Sequence, residues 1–360
     1  MLNDSEQFAA DAPESFFLAF FDGQPRKRYI LGINEYAQAV ASLVAVDGFI
    51  DDYTDAKSWL GKPVVRLATL DPDSMVVSCV TVARPITALA RLREAQVLRY
   101  CDYFSLANAS NGRLPLVQAL AESREDHAVH TTEYQWVRAR LSDEESRRVF
   151  DKLMTFRLTG NLAAMADFEY AAERQYFEPF VELGTDEVFV DGGGFDGFTT
   201  EEFARRCSDY AAIHFFEPST NVMAKAKEKL THLARINFHG LGLYEERAIL
   251  RFDADSGSAS RISESGGVAI EVARLDDVVA EPVTFIKLDL EGAELAALNG
   301  MREHILNDHP KLAVAVYHHP SHFWRVPKLI LGVRDDYRVY LRHYTEGWTE
   351  TVMFFIPDPA

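Results

Sequence analysis

Three short stretches hold the residue types from which chemistry could be built. The first is Val188 to Thr200, reading VFVDGGGFDGFTT. Here an apolar run delivers Asp191, then Gly192, Gly193 and Gly194, then Asp196 and Gly197. Glycines let backbone approach a ligand closely, and a helix start after them would point amide N–H groups at it. The second is Ile213 to Ser219, an apolar run that ends in Glu217, Pro218 and Ser219. An acid at the end of a second strand, a little over ~20 residues past the glycines, suits the two hydroxyls of a ribose. The third pairs Asp289-Leu290-Glu291-Gly292 with Tyr317-His318-His319-Pro320, two acids and an imidazole that each follow an apolar run.

The ligand can be narrowed. No Gly-Lys-Ser/Thr follows the glycines, so the turn is not a Walker A loop, and it does not read GxGxxG. Asp191 favours a ligand with positive charge nearby over a pyrophosphate. S-adenosylmethionine, with a ribose, a sulfonium, an α-amino group and no phosphate, fits. The cofactor residues expected are Asp191, Gly192, Gly193, Gly194, Asp196, Gly197, Glu217, Pro218, Ser219 and Asp289. For methyl transfer to a hydroxyl, a base must take the proton. His318 is the candidate, since histidine titrates near neutrality, with Asp289 or Glu291 orienting the acceptor or the ring. A packing or capping histidine is the plain alternative. No metal ligand is assigned, although two carboxylates and an imidazole could also hold a divalent ion.

The elements that must position these residues read as alternating strands and helices. Val188–Val190, Ile213–Phe216, Ile236–Gly240, Val283–Leu288 and Leu312–Val316 are expected strands, and Tyr337–Leu341 and Thr351–Ile356 follow on either side of Arg342-His343-Tyr344. Thr199 stands three residues before Glu202, a capping-box spacing for the helix after the glycines. Gly300 is expected to close the helix of Leu295–Leu298. Ala248–Phe252 reads as an added β segment, and Ser256–Ser260 as a small-residue loop, either a surface loop or a gate over the ligand. Asp191, Glu217, Asp289, Glu291 and His318 would then lie on one rim, outside the carboxyl ends of the strands.

Upstream, Phe16, Phe17, Phe20 and Phe21 form a helical stripe. Strands at Arg28–Ile33, Gly48–Asp52, Val64–Val65 and Met75–Val80, with a helix from Glu35 to about Val44, imply a small parallel sheet. Asn34 and Ala37 stand where a dinucleotide fingerprint needs glycines, so a structural or acceptor-positioning module is favoured over a nucleotide or sugar site. Pro85–Tyr100 reads as a helical run. Leu116 to about Phe180 reads as a helical connector, with Ser142-Asp143-Glu144-Glu145 as a capping box and Gly160 as the stop. The expected domains are an N-terminal Rossmann-like α/β module at 1–112, the connector at 113–183 and an α/β domain at 184–360.

The 360 residues suffice for two domains. A net charge of −18 argues against nucleic acid and anionic lipid as partners. There is no apolar run of ~18 residues, hence no membrane span. The start MLNDSEQ does not read as a signal peptide. Cys79, Cys101 and Cys207 lie far apart and suggest neither disulfides nor zinc. A cytoplasmic protein is expected, alone or as a homo-oligomer.

Asp186 to Pro357 resembles the FkbM family of S-adenosylmethionine-dependent methyltransferases. The resemblance is carried, in order, by DEVFVDGGGFDGFT, FFEPS, FIKLDLEGAELAALNGM, AVYHHP, YLRHY and TETVMFF. SDEESRRVFDKLMTFRLTG is similar to the helical lead-in of longer members. The resemblance implies a class I methyltransferase fold, a Rossmann-like seven-stranded sheet, mostly parallel with the last strand antiparallel. It also implies O-methylation of a small-molecule or glycan acceptor, typically a hydroxyl on a saccharide or a polyketide-like metabolite. Gly192, Gly193 and His319 depart from the common pattern. Three alternatives stand beside this: a nucleotide-binding oxidoreductase or sugar-modifying isomerase centred on the N-terminal sheet, a metal-assisted methyltransferase, and a cofactor-binding regulatory module.

Overall fold

The computed structural model describes residues 13–22, 26–252 and 267–358. The small-residue loop at Ser256–Ser260 lies outside these. Two units are present. One takes the chain up to Ala128, Asp151–Tyr170 and Thr345–Thr349; the other takes Val129–Phe150, Ala171–Tyr344 and the chain from Glu350 onward.

In the first unit, α1 (Pro13–Asp22) buries Phe16, Phe17 and Phe20, the face its spacing marks out. Then come β1 (Arg28–Leu31), α2 (Glu35–Leu43), β2 (Gly48–Ile50), β3 (Ser58–Trp59), β4 (Lys62–Val65), β5 (Met75–Ser78), α3 (Pro85–Glu94), β6 (Arg99–Asp102) and α4 (Tyr103–Ala109). The sheet order is β3-β4-β2-β1-β5-β6, parallel except for the β3–β4 hairpin. Leu31, Ile50, Val76, Leu92 and Val97 fill its core. The expected helical run to Tyr100 is corrected. Helix α3 stops at Glu94, Gln96 takes a positive φ of 58°, and Arg99–Asp102 becomes a sixth strand on β5. Four residues with two charged ends carry too little alternation to announce a strand. Their partner, β5, decides it.

Helices α5 (Gln118–Arg140) and α6 (Glu144–Thr159) follow, and α5 leaves helical geometry at His130. The cap of α6 is Asp143, whose Oδ1 accepts the Ser146 N–H at 2.7 Å. The expected cap, Ser142, instead accepts the Val339 N–H at 2.8 Å. Gly160 closes α6 with a φ of 71°, as its type suggests.

The second unit is built on β7 (Val188–Gly192), β8 (Ala212–Phe216), β9 (Ile236–His239), β13 (Phe285–Leu288), β14 (Lys311–Ala315), β15 (Tyr337–His343) and β16 (Thr351–Pro357). Their order is β15-β16-β14-β13-β7-β8-β9, and only β16 runs against its neighbours. That is the seven-stranded sheet the resemblance implied. Arg342 and His343, expected between strands, belong to β15. Helices α7 (Phe198–Arg206), α8 (Thr220–Lys229), α9 (Leu275–Val278), α10 (Glu294–Asn299), α11 (Arg302–Asn307) and α12 (His322–Val333) connect them. A small sheet of β10 (Gly242–Leu243), β12 (Val268–Ala273) and β11 (Ala248–Phe252) is inserted. Phe189, Phe203 and Phe285 meet in the core, with Phe189 stacked on Phe203 at 4.3 Å. Burial on both faces accounts for the continuous apolar runs of the central strands.

Candidate functional site

The strand order reverses between β7 and β13, so the loops after these strands frame the crevice where open α/β sheets bind ligands. On one side lies the glycine turn. Asp191 is fully buried; its Oδ1 is 3.0 Å from Lys287 Nζ and its Oδ2 accepts the Thr200 hydroxyl at 2.7 Å. Lys287 also donates to the carbonyls of Gly192 and Gly193, at 3.1 and 2.7 Å. This lysine is the register partner of Asp191 across β7 and β13. It was missed in the sequence because it sits inside the apolar run FIKL. Both oxygens of Asp191 are thus engaged by the protein's own Lys287 and Thr200, which fix the turn it belongs to.

The glycines are required by the protein's own packing. A Cβ on Gly193, whose φ is 74°, would lie 2.0 Å from the Asp289 carbonyl, and one on Gly194 would lie 2.2 Å from the Phe215 ring. The amides of Gly193 and Gly194 both donate to the Phe216 carbonyl, at 3.1 and 3.0 Å. So these two N–H groups tie β7 to β8 and do not face a ligand. The expected capping box is also corrected. Helix α7 begins at Phe198 after Gly197, with Asp196 Oδ1 accepting the Phe198 N–H, and Thr199 lies inside the helix. The Asp-Gly pair makes a tight turn that starts the helix earlier than Thr199 could.

Glu217 follows β8 and its side chain is nearly buried. It accepts the Ser219 N–H at 2.7 Å and is hydrogen-bonded by the Phe195 backbone across from the glycine turn. Burial raises its pKa, and these bonds oppose that. It has no ion-pair partner among the described residues. Pro218 and Ser219 lead into α8, with Ser219 as its N-cap residue.

On the other side of the switch point the structure gathers Asp289, Glu291 and His318, as the sequence suggested. His318 Nε2 lies 3.4 Å from Asp289 Oδ1 and 3.3 Å from Glu291 Oε2. Its Nδ1 is 2.8 Å from Glu294 Oε1. Burial alone would lower the pKa of this imidazole, but Glu294, Glu291 and Asp289 raise it well above the usual value. The expectation of a base titrating near neutrality is thereby corrected. The surrounding acids favour the protonated form of this ring. His319 is exposed and bonds Ser321.

Sequence reading passed over a supporting layer. Glu294, the first residue of α10, is fully buried and also accepts the Leu290 N–H at 2.8 Å. Burial opposes its ionisation, yet His318 and His322 hold it well below the carboxylate range. Tyr176 donates to Asp289 Oδ2 at 2.7 Å. Glu350 accepts from Gln175 at 2.7 Å, and burial beside Asp289 raises it to about 7. Tyr176 and Glu350 come from distant parts of the chain, so no spacing could have marked them. Glu294 had a signal, its position two residues after Gly292 at a helix start.

A reversed-order sheet of this kind, with polar groups gathered at its switch point, is the architecture of class I methyltransferases. Residues 191–346 match the family model described as the methyltransferase FkbM domain. In this stretch the chain is similar to the FkbM methyltransferase domain. Its fold is similar to the crystal structure of methyltransferase FkbM from Methylobacillus flagellatus KT, at 22% identity and a TM-score of 0.73, covering 95% of this chain and 93% of that one. A putative rRNA-methylase from Clostridium thermocellum gives 12% identity and a TM-score of 0.37 over 53% of this chain and 99% of that one. An rRNA methylase from Streptococcus thermophilus gives 15% and 0.35 over 50% and 92%. No curated protein matches the chain in sequence.

Proposed function

We propose that the second unit is an S-adenosylmethionine-dependent O-methyltransferase whose acceptor is a hydroxyl of a saccharide or glycoconjugate. The observation that carries this reading is Glu217. A nearly buried carboxylate with no ion-pair partner among the described residues, held by backbone N–H groups at the end of β8, suits the two donors of a ribose diol. The glycine turn beside it, braced by Lys287, would carry the methionine half. When bound, the cofactor supplies an electrophilic methyl group on its sulfonium. The chain must then hold an acceptor oxygen ~3 Å from that methyl and take its proton. His318, at the centre of this cluster, would orient the acceptor oxygen. Asp289 or Glu291, each within 3.4 Å of that ring, would receive the proton. An acid-lined rim suits an acceptor rich in hydroxyl donors.

The oxidoreductase or isomerase reading has less support. Asn34 spends its side chain on the Ala37 N–H and the Cys79 carbonyl, and Glu346 accepts the Thr87 N–H in the first turn of α3. The first turns of α2 and α3 thus already have acceptors on the amides a pyrophosphate would seek.

Calorimetry with S-adenosylhomocysteine tests the proposal. Binding to the full chain should weaken in Glu217→Ala by about 1–3 kcal/mol, the worth of hydrogen bonds to a charged acceptor. Unchanged affinity would remove Glu217 from the site. A mass increase of one methyl group on an oligosaccharide acceptor would establish the acceptor class.

A further inference from the structure

We propose that Asp289, Glu291 and His318 form a binding site for one divalent cation, with Mn2+ the best match. Each offers one ligand atom, and the three atoms lie within 4.8 Å of one another. Proximity of acids alone would not suffice. The second observation is His318 itself: its side chain is only 9% exposed, and its buried Nε2, aimed between the two carboxylates, makes no hydrogen bond of acceptable geometry. At metal–ligand distances of roughly 2.0–2.2 Å, adjacent ligand atoms around an ion stand about 3 Å apart. The observed 3.3 and 3.4 Å need little contraction to reach that.

The ligand atoms are oriented from behind, as metal ligands usually are. Glu294 Oε1 holds Nδ1 of His318 at 2.8 Å, which directs Nε2 outward, and Tyr176 fixes the other oxygen of Asp289. Glu291 follows Asp289 in the loop after β13 and its side chain is 28% exposed, so one side of the cluster is open for an exchangeable ligand. Charge points the same way. Asp289, Glu291, Glu294 and Glu350 crowd around two imidazoles, His318 and His322, with His322 Nδ1 3.2 Å from Glu294 Oε2. Two carboxylates and one imidazole mix hard and borderline donors, which suits Mn2+ better than Mg2+ or a thiolate-seeking metal. A role for the ion rests on the methyl-transfer reading: it would take the acceptor hydroxyl as its open ligand and make that oxygen a better nucleophile at neutral pH. The site itself does not depend on that reading.

The test is a titration of the chelator-stripped full chain with MnCl2, following the free-ion electron paramagnetic resonance signal. One Mn2+ per chain should bind, and affinity should drop at least tenfold in Glu291→Gln, in Asp289→Asn and in His318→Gln. Asp336→Asn, a half-exposed acid outside the cluster that pairs with Arg334, should bind as the parent does. Thermal melts without metal show that each variant is folded, and Glu291→Gln, the most exposed of the three, is the least disruptive. S-adenosylhomocysteine binding is measured on the same samples. Mn2+ uptake that the three variants lose supports the site even where the nucleoside does not bind, a result that sinks the methyl-transfer reading alone. Nucleoside binding with no Mn2+ uptake up to millimolar concentration overturns the site. So does Mn2+ uptake that is equal in all variants.

Discussion

Four carboxylates around His318 give each titrating group a value that belongs to its surroundings. Glu350 shows this most clearly. Burial, then the nearby Asp289 charge, raise it from 4.5 to about 7, while Gln175 and Tyr317 partly offset them. A carboxyl that is protonated in the folded state and ionised in the unfolded one makes the folded state bind more protons between those values. Stability therefore falls as pH rises from 4.5 to about 7 and levels off above it. At 1.36 kcal/mol per unit the loss is on the order of 3 kcal/mol. Glu350→Gln keeps an acceptor for Gln175 and removes the ionisation. In chelator-treated protein it should be more stable than the parent at pH 8, by up to that amount, and gain little at pH 5. Denaturation at both pH values checks this; an equal difference at the two would mean that Glu350 is not the group responsible. His318 shares this sign, and Glu294 has the opposite one. His318, raised, stabilises below its unfolded value and loses that contribution as pH rises through its folded one. Glu294, lowered, stabilises above its unfolded value and loses it in acid.

Strands β7 and β13 meet through a fully buried ion pair, and the glycine turn hangs from it. Lys287 and Asp191 face each other in register with 3% and 0% of their side chains exposed. Removing one partner of such a pair leaves a buried charge without compensation, typically at a cost of 3–5 kcal/mol. Lys287→Met should lose stability of that order in urea denaturation. Adding Asp191→Asn should recover part of it, because the stranded charge goes. A single-variant cost below about 1 kcal/mol would show that water reaches the pair. Both variants should also weaken S-adenosylhomocysteine binding, since the Gly192 and Gly193 carbonyls lose their donor. The edge of the same sheet is managed by a different element. Strand β15 is the last strand, and its outer side is covered by the corner between α5 and α6. There Ser142 N–H donates to the Val339 carbonyl at 2.8 Å, and the Ser142 and Ser146 hydroxyls accept the Val339 and Leu341 N–H groups at 2.8 and 2.9 Å. Arg342 pairs with Asp143 at 2.7 Å over the same corner. An exposed strand edge invites pairing with another chain, and this corner prevents it.

At the scale of the whole molecule, that corner decides how the chain can be cut. A fragment starting near Asn161 keeps the residues expected to hold the cofactor but loses Val129–Phe150, which belong to the second unit. It should aggregate or fail to bind S-adenosylhomocysteine, while the full chain stays monodisperse; light scattering and calorimetry read the two effects. A soluble, binding-competent fragment would show the edge cover dispensable. No helix among the described residues is long and apolar enough to cross a membrane. Some of this organisation was legible in the residues and some was not. The central strands announced themselves, because parallel strands buried on both faces must be continuous apolar runs, and Asp191, Glu217, Asp289 and His318 could be placed at or just beyond their ends by counting. Gly160 marked its helix end because few other residues take a positive φ cheaply. Tertiary structure alone decided the rest. Whether Arg99–Asp102 is helix or strand depends on β5 beside it. Whether Ser142 caps a helix or an edge strand depends on Val339, almost two hundred residues away. His318 is a histidine in any reading, but its charge is set by Glu294, Glu291 and Asp289 around a buried ring, and proximity of that kind is a property of the fold and not of the sequence order.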